Sequence, residues 1–314
     1  MMTFLRYYTV TAFILSCICV VAIGIHHVDA DGPLLDDKSK YMSEVQEWRR
    51  SNEEKLSAPF GWLALTGHYW LENGANSLGT ANECSIQIPT DLDSKAKGSV
   101  TVDGDQIILT SEESSGILVN EKWASACRLN IEPMKEEADG TDSITIGERL
   151  KLQLVRRAGR LAIRVRDQES FNRKTFEGKS WVDIQPAFCV EATFKPFEPE
   201  KSIRIINIKG DSVEAMLAGT LSFQLNEREF TLDAISEDHE SLFIVFKDLT
   251  SGKTTYGPGR FLTLKAPVDG QVTIDFNKAY NPPCAFSPHT LCPLPPRQNH
   301  LDVEINAGEL KVGN

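Results

Sequence analysis

Seven side chains near the ends of two late strands have the types and spacing to hold a small charged molecule: Asp248, Lys253, Tyr256 and Arg260 on one turn, then Asp275, Asn277 and Asn281 on the next. Arg260 precedes the apolar Phe261 and Leu262, so its guanidinium needs a carboxylate partner, which Asp248 or Asp275 supplies, because a buried charge must be paired. Two arrangements meet that need. One is a structural ion-pair network that fixes the loops. The other is a cleft in which Arg260 and Lys253 hold a ligand carboxylate or phosphate while Tyr256 and Asn277 orient it.

The stretch that follows is unlike the rest of the chain. Residues 275–301 contain six prolines, two cysteines and two histidines without a hydrophobic period. An aromatic-rich, proline-stiffened run of this kind is no flexible linker. Cys284 and Cys292 are eight apart, and in an oxidising compartment a disulfide between them closes a small loop worth ~2–3 kcal/mol. Cys284, His289, Cys292 and His300 are also zinc-type ligands, although their spacing fits no standard finger. A free Cys284 near Arg260 and His289 would instead be an activated thiol. We expect the disulfide, and neither a metal nor a cofactor. "TSGKTT" (250–255) is not a phosphate loop, since Lys247 stands where the first glycine belongs and "YGPGR" cannot open a helix.

These groups need a scaffold, and the alternation of the chain describes one. "SVTVDGDQIILT" (99–110) is a hairpin turning at Asp103-Gly104, "RLKLQLVRRAGRLAIRVRD" (149–167) turns at Ala158-Gly159, and "GTLSFQLNEREFTLDAI" (219–235) turns near Asn226. "SLFIVFKD", "GRFLTL", "QVTIDFN" and "LDVEI" add further strands. In the second hairpin Arg164 and Arg166 face away from the Leu161/Ile163/Val165 row, which predicts a solvated face. Few helices and many short strands predict a mainly β fold. The exception is 31–60, where Tyr41, Val45 and Trp48 form one apolar helical face, expected to pack on the first β unit, with Asp36 and Asp37 at its N-terminal end. Alternation lapses over 168–185, so we expect one β unit at 61–167, a connector, and a second unit at 186–314 that carries the proline-rich loop 281–300.

The chain has 314 residues with 33 basic and 44 acidic side chains, a formal charge of −11. That balance argues against nucleic acid or an anionic membrane surface as the main partner. Arg6 is the only charge before the apolar run 9–25, and Val28 and Ala30 are small residues suited to signal peptidase. The expectation is a signal peptide over 1–30 and a secreted or lumenal protein beginning at Asp31, with a retained anchor as the alternative. Five cysteines then remain: 84, 127, 189, 284 and 292. An odd number leaves at least one unpaired within the chain.

"LENGANSLGTANECSIQIPTDLDSKAKGSVTVDGDQIILTSEESSGILVNEKW" (71–123) resembles a forkhead-associated sandwich. Thr80 replaces the phosphothreonine-reading arginine of that family, the loop offers only Ser94 and Lys95, and Asn120 is the one matching reader. The resemblance therefore implies a fold and not phosphopeptide binding. "GWLALTGHYWLENGANSLG" (61–79), "FKDLTSGKTTYGPGRFLTL" (246–264) and "DFNKAYNPPCAFSPHTLCPLPPRQNHLDVEINAGE" (275–309) resemble the domain of unknown function 1684 family, which implies positions but no reaction. The resulting expectation is a protein that binds a small anionic or polar ligand, or a short peptide, between the 248–260 hairpin and the 275–300 loop. A hydrolase using Asp248, Asp275, Tyr256 or Cys284, and a partner-binding module on the first sandwich, are the alternatives. Trp62, Trp70, Trp123 and Trp181 are expected to be packing anchors, and His68 a core or edge histidine.

Overall fold

The computed structural model describes residues 38–92, 95–131, 142–157, 159–236 and 240–313. The expected signal segment, Asp36 and Asp37, and the readers' loop at Ser94 lie outside them, as does Ala158 of the second hairpin.

Helix α1 (Lys38–Ser57) is followed by ten strands: β1 (Leu65–Trp70), β2 (Gly74–Gly79), β3 (Ile86–Gln87), β4 (Gly98–Asp103), β5 (Gln106–Ser111), β6 (Ile117–Val119), β7 (Ala126–Arg128), β8 (Ile144–Ile146), β9 (Leu150–Arg157) and β10 (Arg160–Asp167). They form two five-stranded sheets, ordered β1-β10-β9-β8-β6 and β3-β2-β4-β5-β7. Alternate residues of both sheets, among them Leu78, Val100 and Ile107 on one and Leu150, Leu152 and Ile163 on the other, close a single core between them. A β-sandwich results. Gly104 takes a φ of 58° at the first hairpin turn, a conformation glycine adopts without penalty. Asn120 is engaged by the residues that lead into β8, donating to Asp142 Oδ1 at 2.7 Å and accepting from the Ser143 N–H.

A short helix α2 (Phe171–Lys174) interrupts the connector, with Ser170 Oγ capping Arg173 N. Six strands follow: β11 (Cys189–Ile206), β12 (Ser212–Leu225), β13 (Arg228–Ser236), β14 (Ser241–Phe246), β15 (Arg260–Lys265) and β16 (Gln271–Asp275). They pair antiparallel in the order β15-β14-β13-β12-β11-β16. The edge strands β15 and β16 approach one another, curling the sheet into a nearly closed barrel around Leu221, Phe223, Leu232, Ile244, Phe246 and Phe276. Asn226 and Glu227 both have positive φ at the β12–β13 turn, the backbone that matches strand twist in a two-residue hairpin. The protein is thus mainly β, with one long N-terminal helix.

Four expectations are corrected. Helix α1 packs on the barrel as well as on the turn Trp62–Ala64 that leads into β1: Tyr41 hydroxyl donates to Asp275 Oδ1 at 2.9 Å, Arg49 donates to the Asn277 carbonyl, and the Trp48 and Tyr280 ring centroids are 6.0 Å apart. Arg164 and Arg166 are buried, because Trp62 covers the outer face of β10 with its ring 5.2 and 4.9 Å from the two guanidinium carbons. Arg166 also donates to the carbonyls of Phe60 and Gly61 at 2.8 Å each. Residues 301–305 make no strand. Leu301 and Ile305 are buried as alternation requires, but the backbone bonds run to the 247–249 turn and the Asp248 carboxylate, so no continuous ladder forms. Trp123 is 39% exposed and is no buried anchor.

Candidate functional site

Arg260 and Asp248 meet at the centre of the barrel's end. Both side chains are wholly enclosed, with Arg260 Nη2 2.8 Å from Asp248 Oδ2. The guanidinium also donates to the carbonyls of Ala307 and, at 3.1 Å, Ile305. Asp248 Oδ1 accepts from Thr250 N at 2.7 Å and from the Thr250 hydroxyl. Their donors and acceptors tie the C-terminal segment to the 248–255 turn. Burial pushes the Arg260 guanidinium below its usual range, and Asp248 opposes that shift. This is the ion-pair network of the two expected arrangements.

Asp275 and Asn277 serve the same end at the next turn. Asp275 Oδ1 caps Asn277 N at 3.1 Å and accepts from Tyr41, while Asn277 bonds the Gln185 backbone through both its amide groups. Burial, then Asp275, pushes the Tyr41 phenol above its ordinary range. Lys253 is on the surface, 3.4 Å from Glu304. These expected ligand contacts therefore frame the fold or face solvent.

Asn281 leads to a different place. Its amide donates to Glu309 Oε1 at 2.9 Å and its backbone N–H to Glu309 Oε2 at 2.9 Å. Glu309 pairs with Lys179, whose Nζ lies 2.9 Å from Oε2 and 2.6 Å from Asn52 Oδ1. The Lys179 and Glu309 side chains are 2% and 1% exposed. Both belong to the wall of a cavity of about 590 Å3, lined also by Leu63, Asn172, Phe176 and Phe286. The proline-rich loop supplies one wall through Ala285 and Phe286, and the connector and residues 309–313 supply the others. The loop is held there by Asn172 Nδ2 to the Phe286 carbonyl and Ser287 Oγ to the Leu65 carbonyl, each 2.9 Å.

Burial pushes the Lys179 ammonium down and the Glu309 carboxyl up, and each partner opposes the other's shift. The Lys179 ammonium lies 5.3 Å from the Phe286 ring centroid and 5.6 Å from that of Trp181, within cation–π range. Sequence reasoning missed Lys179 and Glu309. They are 130 positions apart, and the one local sign was the lapse of alternation around Lys179.

Tyr256 and the loop cysteines form a third cluster. All five described cysteines are free thiols, so the expected Cys284–Cys292 bond is not formed in this structure. The two residues are nonetheless neighbours, with Cys284 N donating to Cys292 Sγ at 3.3 Å and the Tyr256 hydroxyl 3.6 Å from Cys284 Sγ. Among the described residues no three metal-ligating side chains cluster, and no helix is long and apolar enough to cross a membrane.

No curated protein matches the chain. The solution NMR structure of the uncharacterized protein from gene locus rrnAC0354 of Haloarcula marismortui is 36% identical in sequence, over 44% of this chain and 78% of that one, with a TM-score of 0.38. Residues 174–310 match a family described as a protein of unknown function (DUF1684). The matched span runs from within the connector to the C-terminal segment, so it includes the barrel, the proline-rich loop and both members of the Lys179–Glu309 pair, and leaves out the sandwich. Through that span the chain belongs to the DUF1684 family.

Proposed function

We propose that the protein binds a small anionic or polar ligand in the cavity walled by the connector, the proline-rich loop and residues 309–313. The observation that carries this reading is the near-complete enclosure of the Lys179–Glu309 pair in the wall of a 590 Å3 cavity. That volume is of the order small-molecule sites occupy, and the mixture of aromatic walls with a few convergent polar groups is typical of them. A buried ion pair is weak evidence of stability, because desolvation consumes most of its attraction. Perturbed titratable groups lining a cleft make a candidate for a binding or reactive site. In this reading Lys179 attracts a ligand carboxylate or phosphate, Glu309 and Asn281 hold the ammonium in place, and Phe286 stacks on the ligand's apolar part.

The test is thermal denaturation of the purified protein with succinate, glutamate or inorganic phosphate at millimolar concentration. At least one should raise Tm, and the paired substitution Lys179→Met with Glu309→Gln should remove that rise while the protein stays folded. Failure of a wide panel of small anions to move Tm, or a rise that survives the double substitution, rejects the reading.

We also propose a secretory route, supported by the apolar run 9–25 and the small residues Val28 and Ala30. N-terminal sequencing of the protein recovered from a eukaryotic secretory host should begin at Asp31; an intact Met1 rejects the cleavage, and recovery of the protein from the cytosol rejects the route.

A further inference from the structure

The proline-rich loop carries a second chemistry, away from the Lys179 cavity. Cys284 lies in the turn Pro283–Ala285 and is partly accessible, whereas Cys292 is buried against Val245 and Phe261. The two residues are neighbours, with the Cys284 backbone nitrogen 3.3 Å from Cys292 Sγ. Tyr256 hydroxyl donates to Cys284 Sγ, and the backbone N–H of Cys284 donates to Cys292 Sγ. The turn between β11 and β12 is anchored here as well: Ile208 N donates to the Cys292 carbonyl and Leu294 N to the Ile206 carbonyl, at 2.9 Å each. That anchoring places the positive charge of Lys209 where it acts on Cys284 and His289.

Two features separate this pair from a structural staple. The loop is already fixed at both ends of the pair by backbone bonds and by Ser287 to Leu65, so a bond between the sulfurs has little freedom left to remove. The sulfurs are also unlike. One is accessible and receives hydrogen bonds that stabilise a thiolate, and the other is enclosed by apolar side chains that oppose one.

We propose that Cys284 and Cys292 are a redox-active dithiol that exchanges with a low-molecular-weight disulfide, Cys284 attacking and Cys292 resolving. The Cys284 thiolate attacks one sulfur of the external disulfide, that S–S bond breaks, and the leaving thiolate takes up the proton Cys284 gave up. Cys292 then loses its proton and attacks Cys284 Sγ, forming the internal bond and expelling the second external thiol. Two protein thiols are oxidised, one disulfide is reduced to two thiols, and protons balance. The hydrogen bond from Cys292 and that from Tyr256 lower the Cys284 thiol to about 7, while Cys284 and burial push the Cys292 thiol up.

The experiment equilibrates the purified protein in buffers of reduced and oxidised glutathione, quenches by alkylation and maps the thiols by mass spectrometry. A Cys284–Cys292 bond should form and break within the range those buffers span. Cys292→Ser should accumulate a glutathione adduct on Cys284, and Cys284→Ser should give none on Cys292. In the wild-type protein, which needs no substitution to fold, iodoacetamide at neutral pH should modify Cys284 on the order of tenfold faster than Cys189. The proposal is overturned if the bond never forms, if it resists the most reducing buffer as a permanent staple does, or if Cys284 alkylates no faster than Cys189.

Discussion

Lys179 and Glu309 face each other at 2.9 Å, one from the connector and one from the C-terminal segment, with almost no solvent on either side chain. The pair joins two segments that also exchange backbone bonds, Val182 N to the Gly308 carbonyl and Leu310 N to the Ser180 carbonyl, at 2.9 Å each. Removing one charge strands the other in a desolvated place, so Lys179→Met should destabilise the protein by about 3–5 kcal/mol. Changing both, to Met and Gln, should recover most of that loss. Urea unfolding of both single variants and of the double variant measures the coupling, and a double-variant loss equal to the sum of the two single losses would mean that the pair does not interact.

Arg260 makes a contrasting demand. Its guanidinium is shared between one carboxylate and two backbone carbonyls, and a lysine ammonium lacks the planar fork that reaches several acceptors at once. Arg260→Ala should cost about 3–5 kcal/mol by leaving Asp248 uncompensated, and Arg260→Lys should recover only part of that cost. Anion-induced shifts in Tm should persist in Arg260→Lys, since the cavity does not reach this pair. Loss of those shifts with stability intact would place the ligand at Arg260 instead.

The hairpins were legible because their information is local. Asp103-Gly104 and Asn226-Glu227 sit between alternating runs, and the structure turns at both with positive φ. Arg260's need for a carboxylate was legible for a similar reason, since it leads an apolar strand; Asp248 and Asp275 were both open as partners, and the structure pairs it with Asp248. What escaped the sequence was coverage by distant residues. Arg164 and Arg166 lie on the polar side of a well-patterned strand, and nothing in β10 announces that Trp62 closes over them. The 301–305 alternation was real as burial, yet burial on one side does not require a strand partner on the other. The cavity is the extreme case, because its two charged members come from segments with no regular period at all.

His68 supplies the pH dependence. Burial, then Arg164, with smaller contributions from Arg157, His289 and Arg160, hold its imidazole down at about 4, against an ordinary value of 6.5. Neither ring nitrogen has a hydrogen-bond partner, and the ring packs edge-on to Trp70 with centroids 4.8 Å apart. A histidine whose folded pKa is depressed binds its proton more readily when unfolded. Its contribution is therefore present above 6.5 and is lost as pH falls through the window from 6.5 to about 4. Urea midpoints should decline across that window, and His68→Phe should flatten the decline. An unchanged slope in the variant would assign the acid sensitivity to other groups.

Gly308 tests whether the cavity wall and the ion pair are one unit. Its φ is +84°, and a Cβ there would stand 2.6 Å from the Ala279 carbonyl oxygen and 2.8 Å from that of Phe276. Gly313, which lines the cavity, has a similar φ of +75° with nothing within 4 Å of its Cβ position. Alanine therefore imposes a comparable backbone cost at both positions, but only at 308 does it also collide with fixed backbone, which has to move the residue that carries Glu309. Gly313→Ala should cost about 1 kcal/mol and preserve the anion-dependent rise in Tm, whereas Gly308→Ala should cost more than that and abolish the rise. If the two variants lose equal stability and both keep the rise, the 308–310 segment does not position the site, and Glu309 holds Lys179 from a backbone that has room to shift.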